Sequence, residues 1–140
     1  MNYTISEVAE KTNLTAYTLR YYDKEGLLPF VDRSVGGVRV FKDTDLDWLA
    51  IIECLKLTGM PIKEIKIFID WCMQGDATLQ QRYDMFKERK AIVEAQMAEI
   101  QKTLDTINYK CWYYETALAA GTEKIHKVKQ KSLRVGSNES

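Results

Sequence analysis

Between Asp76 and Ala120 the sequence holds neither glycine nor proline, so nothing in that stretch stops or kinks a helix. Its apolar residues step by four and three in alternation: Leu79, Tyr83 and Phe86, then Val93, Met97, Ile100, Leu104, Ile107, Cys111, Tyr114 and Leu118, with Lys90 the one break in register. A seam that recurs every seven residues over such a length is the pattern of a coiled coil. At about 1.5 Å per residue the rod is roughly 60 Å long, more than a preceding domain of about 75 residues can cover. The seam therefore calls for a helix from a second chain. The expectation is a homodimer with Val93, Met97, Ile100, Leu104, Ile107, Cys111 and Tyr114 at its interface.

The segment before the rod carries short, well-punctuated elements. Thr4 and Glu7 have capping-box spacing, with Tyr3 and Val8 placed as a hydrophobic staple, so a helix is predicted over Ile5 to Thr12. Asn13 and Leu14 read as a turn, Thr15 as the cap of a second helix with Leu14 and Leu19 as its staple, and Gly26 as its stop. Two short helices joined by a tight turn make a helix-turn-helix. Phe30 to Arg33 and Val38 to Phe41 look extended around Gly36-Gly37, a pair suited to a hairpin, which predicts a wing. A third helix opens at Asp43 or Thr44 and runs to Thr58-Gly59, with Leu46, Leu49, Ile52 and Leu55 at helical spacing. Pro61 suits the first turn of a fourth, along which Ile62, Ile65, Ile69 and Cys72 share a face before Gly75-Asp76. The fold class is mainly α: a winged helix-turn-helix over residues 1–75, a dimerisation helix over 76–120, and a short, partly disordered segment over 121–140. In that last segment a short helix is expected towards Arg134, with fraying from Gly136 to Ser140.

Lysine plus arginine equal aspartate plus glutamate at 20 each, so any affinity for nucleic acid must come from local placement of charge. The N-terminus lacks a basic stretch followed by an apolar run, and no stretch approaches the roughly 18 apolar residues of a membrane span. A cytoplasmic protein with no membrane partner is expected. Cys54, Cys72 and Cys111 are odd in number and far apart, which fits reduced thiols better than a disulfide framework.

The run Tyr3-Thr4-Ile5-Ser6-Glu7-Val8-Ala9, then Thr18-Leu19-Arg20-Tyr21-Tyr22-Asp23 and Gly26-Leu27-Leu28-Pro29, strongly resembles the MerR family of regulators. Gly37-Val38-Arg39-Val40-Phe41, Asp45-Leu46, and Leu57-Thr58-Gly59-Met60-Pro61 with Glu64-Ile65 continue the likeness in order and spacing over about the first 75 residues. Cys54 in Glu53-Cys54-Leu55-Lys56, together with Tyr109-Lys110-Cys111-Trp112-Tyr113-Tyr114-Glu115, is similar to the branch that answers aldehydes and related electrophiles. The resemblance implies a winged helix-turn-helix, an antiparallel coiled-coil dimer, and binding to double-stranded promoter DNA whose two polymerase-recognition elements stand too far apart. It also implies that DNA distortion realigns those elements, so that RNA polymerase is engaged indirectly through the promoter.

Thr15 to Tyr22 would then be the recognition helix in the major groove, with Thr15 and Tyr17 early enough to reach base edges or adjacent phosphates. Arg20, Tyr21 and Tyr22 match family positions that grip the backbone, although one of the tyrosines could be core and Arg20 could pair with Asp23 or Glu25. Arg33 and Arg39 flank the glycine turn and could reach DNA from the wing, or Arg39 could pair with a nearby acid. Lys56 sits where the family has a second phosphate-touching wing, the alternative being plain solvation.

Cys54 is the candidate sensor thiol, with a small core residue beside Ile51 and Leu55 as the competing reading. Cys72 and Cys111 read as packing. Cys111 has no downstream cysteine and His126 stands alone in what reads as a mobile tail, so no metal, iron-sulfur cluster or other cofactor is expected. The aromatic group Tyr109, Trp112, Tyr113 and Tyr114 is expected to pack on the partner subunit's DNA-binding domain. A thiol enzyme would need a base beside a cysteine and a Cys-x-x-Cys pair is absent, so catalysis is not expected. An adapter that keeps the coiled coil and a vestigial DNA-binding head is the alternative function.

Overall fold

The computed structural model describes residues 1–127. Its architecture is mainly helical with a small antiparallel sheet. The order is β1 (Asn2–Tyr3), α1 (Ile5–Thr12), α2 (Ala16–Lys24), β2 (Asp32–Arg33), β3 (Arg39–Lys42), α3 (Asp43–Leu57), α4 (Ile62–Met73) and α5 (Leu79–Ala120), with 3-10 turns at Gly75–Thr78 and Glu123–His126. The expected helix towards Arg134 and the fraying from Gly136 lie outside the described residues.

Local chemistry sets the helix ends much as the residues foretell. The Glu7 amide donates to Thr4 Oγ1 at 3.2 Å and the Thr4 amide to Glu7 Oε1 at 3.0 Å, closing the capping box on two otherwise orphaned donors. Asn13, at φ 59°, ends α1 in the left-handed region, and Thr15 caps α2 through the Thr18 amide at 3.0 Å. Pro61 stands at the N-cap of α4. The 3-10 turn at Gly75–Thr78 delays the start of the long helix from Asp76 to Leu79.

Val8, Leu19, Tyr22, Leu27, Leu28, Phe41, Leu49, Ile52, Leu55, Ile65 and Ile69 form one buried core drawn from α1, α2, β3, α3 and α4. The sheet has order β1-β3-β2. Strand β1, with Asn2 opposite Lys42 and Tyr3 opposite Phe41, is not foreseen from the residues because two positions are too few to show a period. The hairpin is also shorter than expected. Only Asp32–Arg33 pairs with β3, since Phe30 turns aside to stack on Trp48 with ring centroids 5.4 Å apart.

The chain divides into two compact units, the first being Met1–Val93. The opening turns of α5 belong to it: Phe86 meets Phe68 edge to face at 5.3 Å, and Arg89 donates to Thr58 Oγ1 at 3.3 Å. In the second unit, which begins at Glu94, the seam positions Met97, Ile100, Leu104, Ile107 and Tyr114 are exposed along α5. At its far end the 3-10 turn folds back, and His126 is 2 % exposed, stacked on Tyr113 at 4.2 Å. This corrects the expectation of a histidine in a mobile tail. Its Nε2 lies 2.9 Å from the Tyr113 carbonyl oxygen and 2.7 Å from Thr116 Oγ1.

Candidate nucleic-acid interface

Helix α2 is amphipathic in a way that separates the residues singled out in the sequence. Leu19 and Tyr22 face the core, while Tyr17, Arg20, Tyr21 and Lys24, at spacings of three and four, line the opposite face in the open. Tyr17 is 80 % exposed. Thr15, also exposed, uses its hydroxyl to cap the helix. No ion pair among the described residues engages Arg20, because Asp23 is taken by the wing. One helical face therefore presents a free guanidinium between two phenols, a set that can donate to phosphate oxygens.

Tyr22 departs from that role. It is 1 % exposed, and its hydroxyl donates to Glu53 Oε1 while accepting from Lys56 Nζ at 2.6 Å. Burial, followed by the hydrogen bond to Glu53, raises the phenol well above the ordinary tyrosine range, so it stays protonated. Tyr22 thus ties α2 to α3, and the alternative in which one of the two tyrosines is a core residue is the one realised. Lys56 is likewise neither free nor merely solvated: its ammonium lies 5.1 Å over the Tyr22 ring and 3.9 Å from Glu53 Oε1, with part of its side chain still open.

The wing is a tight turn. The Gly37 amide donates to the Ser34 carbonyl at 2.9 Å and the Ser34 amide to the Val38 carbonyl at 2.7 Å. Gly37 adopts φ 82°, a conformation that costs a side-chain-bearing residue energy. Arg33 and Arg39 stand opposite one another across β2 and β3, and both are held by the Asp23 carboxylate. The alternative of a neighbouring acid pairing with Arg39 is the one realised, and it extends to Arg33.

Two family profiles match this chain, "MerR HTH family regulatory protein" over residues 3–70 and "MerR, DNA binding" over residues 46–109. An uncharacterized HTH-type transcriptional regulator of Haemophilus influenzae is 45 % identical over 93 % of this chain and 96 % of its own length. The chain belongs to the MerR family. Among solved structures, HiNmlR, a MerR family regulator lacking the sensor domain and bound to promoter DNA, shares 46 % identity with a TM-score of 0.80, covering 89 % of this chain and 99 % of that one. A MerR family regulator from Bacillus thuringiensis shares 45 % identity with a TM-score of 0.72 over 79 % of this chain and 97 % of the other. The protein is thus a MerR-type DNA-binding transcription regulator, of a family of regulators rather than of enzymes.

The remaining MerR-type candidates divide by exposure. Cys54 is exposed on α3, beside exposed Ala50 and Leu57, so the competing reading as a core residue does not hold in this chain. Cys72 is partly buried against the core, and burial pushes its thiol up despite Arg82 nearby, which suits packing. Cys111 is exposed along α5 with its seam neighbours. Among the described residues no group of three or more His, Cys, Asp or Glu converges as a metal site, and no helix is long and apolar enough to cross a membrane.

Sequence reasoning named Asp23 as a candidate partner for Arg20, whereas the structure pairs it with Arg33 and Arg39; it did not name Glu53 as a partner of Tyr22. Glu53 had no local signal, its partner Tyr22 lying far back in the chain.

Proposed function

We propose that this chain acts as a cytoplasmic homodimer on promoter DNA with an overlong spacer, distorting the duplex so that RNA polymerase can engage it. The observation that carries the reading is the exposed Tyr17–Arg20–Tyr21 face of α2, with Arg20 in no ion pair among the described residues. An arginine kept free of internal carboxylates beside two phenols suits a polyanionic surface. The test is Arg20→Ala on a fragment of the intergenic DNA next to the chain's own coding sequence. One charge-assisted hydrogen bond is worth about 1.5–3 kcal/mol, so binding should weaken about 10- to 100-fold for each half-site engaged. The log–log salt slope should fall by about 0.9 for each phosphate that the variant no longer neutralises. The weakening should be uniform across operator sequences; relaxation at a single base pair would show that Arg20 reads bases instead. Footprinting of the same fragment should reveal palindromic protection across the overlong spacer.

The switch proposed for this regulator is the Cys54 thiol. An aldehyde adds to it by forming a carbon–sulfur bond while the thiol proton passes to the carbonyl oxygen, so no redox partner is needed. Cys54 is open to such a reagent, and the adjacent Glu53 accepts the hydroxyl of Tyr22 on the recognition helix. An adduct on α3 therefore lands next to a polar link that reaches α2. Cys54→Ser should abolish aldehyde-dependent transcription while leaving DNA affinity within about twofold. Undiminished induction in that variant would remove Cys54 from the mechanism.

A further inference from the structure

The wing meets the recognition helix through one anion. Asp23 Oδ2 lies 2.7 Å from Arg33 Nη2 and 2.7 Å from both Arg39 Nε and Arg39 Nη2. The same Arg33 guanidinium donates through Nη1 to the Gly37 carbonyl at 3.0 Å, so it also braces the turn of the hairpin. The Asp23 side chain is 17 % exposed and that of Arg39 24 %, which keeps the pair partly out of reach of salt. Strand β2 pairs with β3 at only Asp32–Val40 and Arg33–Arg39, and beyond the Ser34 turn bonds and the Lys42–Asp32 ion pair the Asp23 clamp is what joins this short hairpin to α2.

A carboxylate close to a phosphate backbone is electrostatically unfavourable, and this one also occupies two arginines that could otherwise face DNA. We propose that Asp23 is a positioning residue that locks the wing to the recognition helix, so that both meet the duplex as one preorganised surface. This rests on the DNA-binding role proposed above. The benefit is entropic: the wing is ordered before DNA arrives, and its ordering is not charged against binding. Arg33, half exposed, keeps part of its fork for phosphate, while Arg39 serves as the pin.

The clamp and simple charge counting disagree in sign. Counting alone makes Asp23→Asn a tighter binder, because a negative charge leaves and two arginines are freed. The clamp makes it weaker, by about tenfold or more. The experiment uses full-length wild type, Asp23→Asn and Arg39→Lys, the last keeping the charge but losing the two-nitrogen grip. Each is titrated against the intergenic fragment at several salt concentrations, footprinted with hydroxyl radicals, and followed by amide exchange without DNA. Both variants should bind at least tenfold more weakly, lose protection at the flanks facing the wing, and keep protection where α2 lies. In the free protein, exchange should quicken at Ser34, Val38 and Arg39 but not in the core. Equal or tighter binding by Asp23→Asn, or unchanged exchange in the wing, overturns the clamp. A wild type that leaves no footprint overturns the DNA-binding reading itself and this role with it, whereas a wild-type footprint with unaltered variant binding sinks the clamp alone.

Discussion

Ile100→Asp combined with Leu104→Asp is expected to leave the protein monomeric in place of the proposed homodimer and to cut affinity for its operator by about 10²- to 10⁴-fold. Ile100 is 68 % exposed and Leu104 46 % exposed on α5, in line with Met97, Ile107 and Tyr114. A helix that leaves a stripe of this length in water forgoes about 1.5–3 kcal/mol for each large side chain that a partner could cover. Two like charges placed in the seam must be desolvated against apolar neighbours, a cost of several kcal/mol each that no facing residue offsets. The effect on DNA is larger than that of any single side chain because a dimer binds its second half-site intramolecularly, at an effective concentration set by the rod. Sedimentation checks the first part and a palindromic against a half-site probe checks the second. A wild type that sediments as one chain at high concentration removes the argument, as does a double variant that remains dimeric. The monomer should retain weak, half-site binding, which separates loss of pairing from loss of the fold.

The parts of this molecule legible in the sequence are those governed by neighbours along the chain. Thr4 with Glu7, Thr15, Gly37 and Pro61 each act over three or four residues, and each does in the structure what its chemistry implies. The long helix is legible for the same reason, since its evidence is the lack of any local breaker. Tyr21 and Tyr22 realise the alternative in which one of the pair is core. Consecutive helical residues point about 100° apart, so one of the two must face inward. Leu19, three residues before Tyr22, and Tyr17 and Arg20, on the side of Tyr21, decide which.

Other features had no local trace. The links from Tyr22 to Glu53 and Lys56, from Asp23 to the wing, and from His126 to Tyr113 join residues far apart in the chain. Each depends on side-chain reach that only the packed core fixes. The first two fasten α2, through Tyr22 and Asp23, to α3 on one side and to the hairpin on the other.

Asp45→Ala is expected to destabilise the N-terminal unit by about 2–4 kcal/mol, the range for losing a largely buried charge partner with some discount for an open lysine. Asp45 is fully buried. It accepts from the Lys42 amide at 3.0 Å, capping α3 at the position where that donor has no partner within the helix. Its carboxylate also lies 3.1 Å from Lys42 Nζ, which donates in turn to the Phe30 carbonyl at 2.9 Å. Alanine would orphan the amide and leave the ammonium against the protein with only Phe30 and the more distant Asp32. Since about 1 kcal/mol moves the midpoint of a domain this size by roughly 4–8 °C, melting should fall by roughly 8–32 °C. Asp45→Asn keeps an acceptor for the amide but gives up the charge, and should lie between wild type and alanine. The pH dependence has a definite sign. Burial alone would lower the Lys42 amine, but the hydrogen bond and charge of Asp45 outweigh it and raise the group above its ordinary value of 10.5. Its contribution is thus complete at neutral pH and is lost only as pH rises past that value, through the raised one. The Lys42 share of the gap between wild type and Asp45→Ala should accordingly hold through neutral pH and fade in strong alkali. Well below the melting temperature Asp45→Ala should bind operator within about twofold of wild type, because Asp45 supports the sheet and α3 without facing the duplex. A variant that melts with the wild type would show that Lys42 and its amide find water as good a partner as the carboxylate.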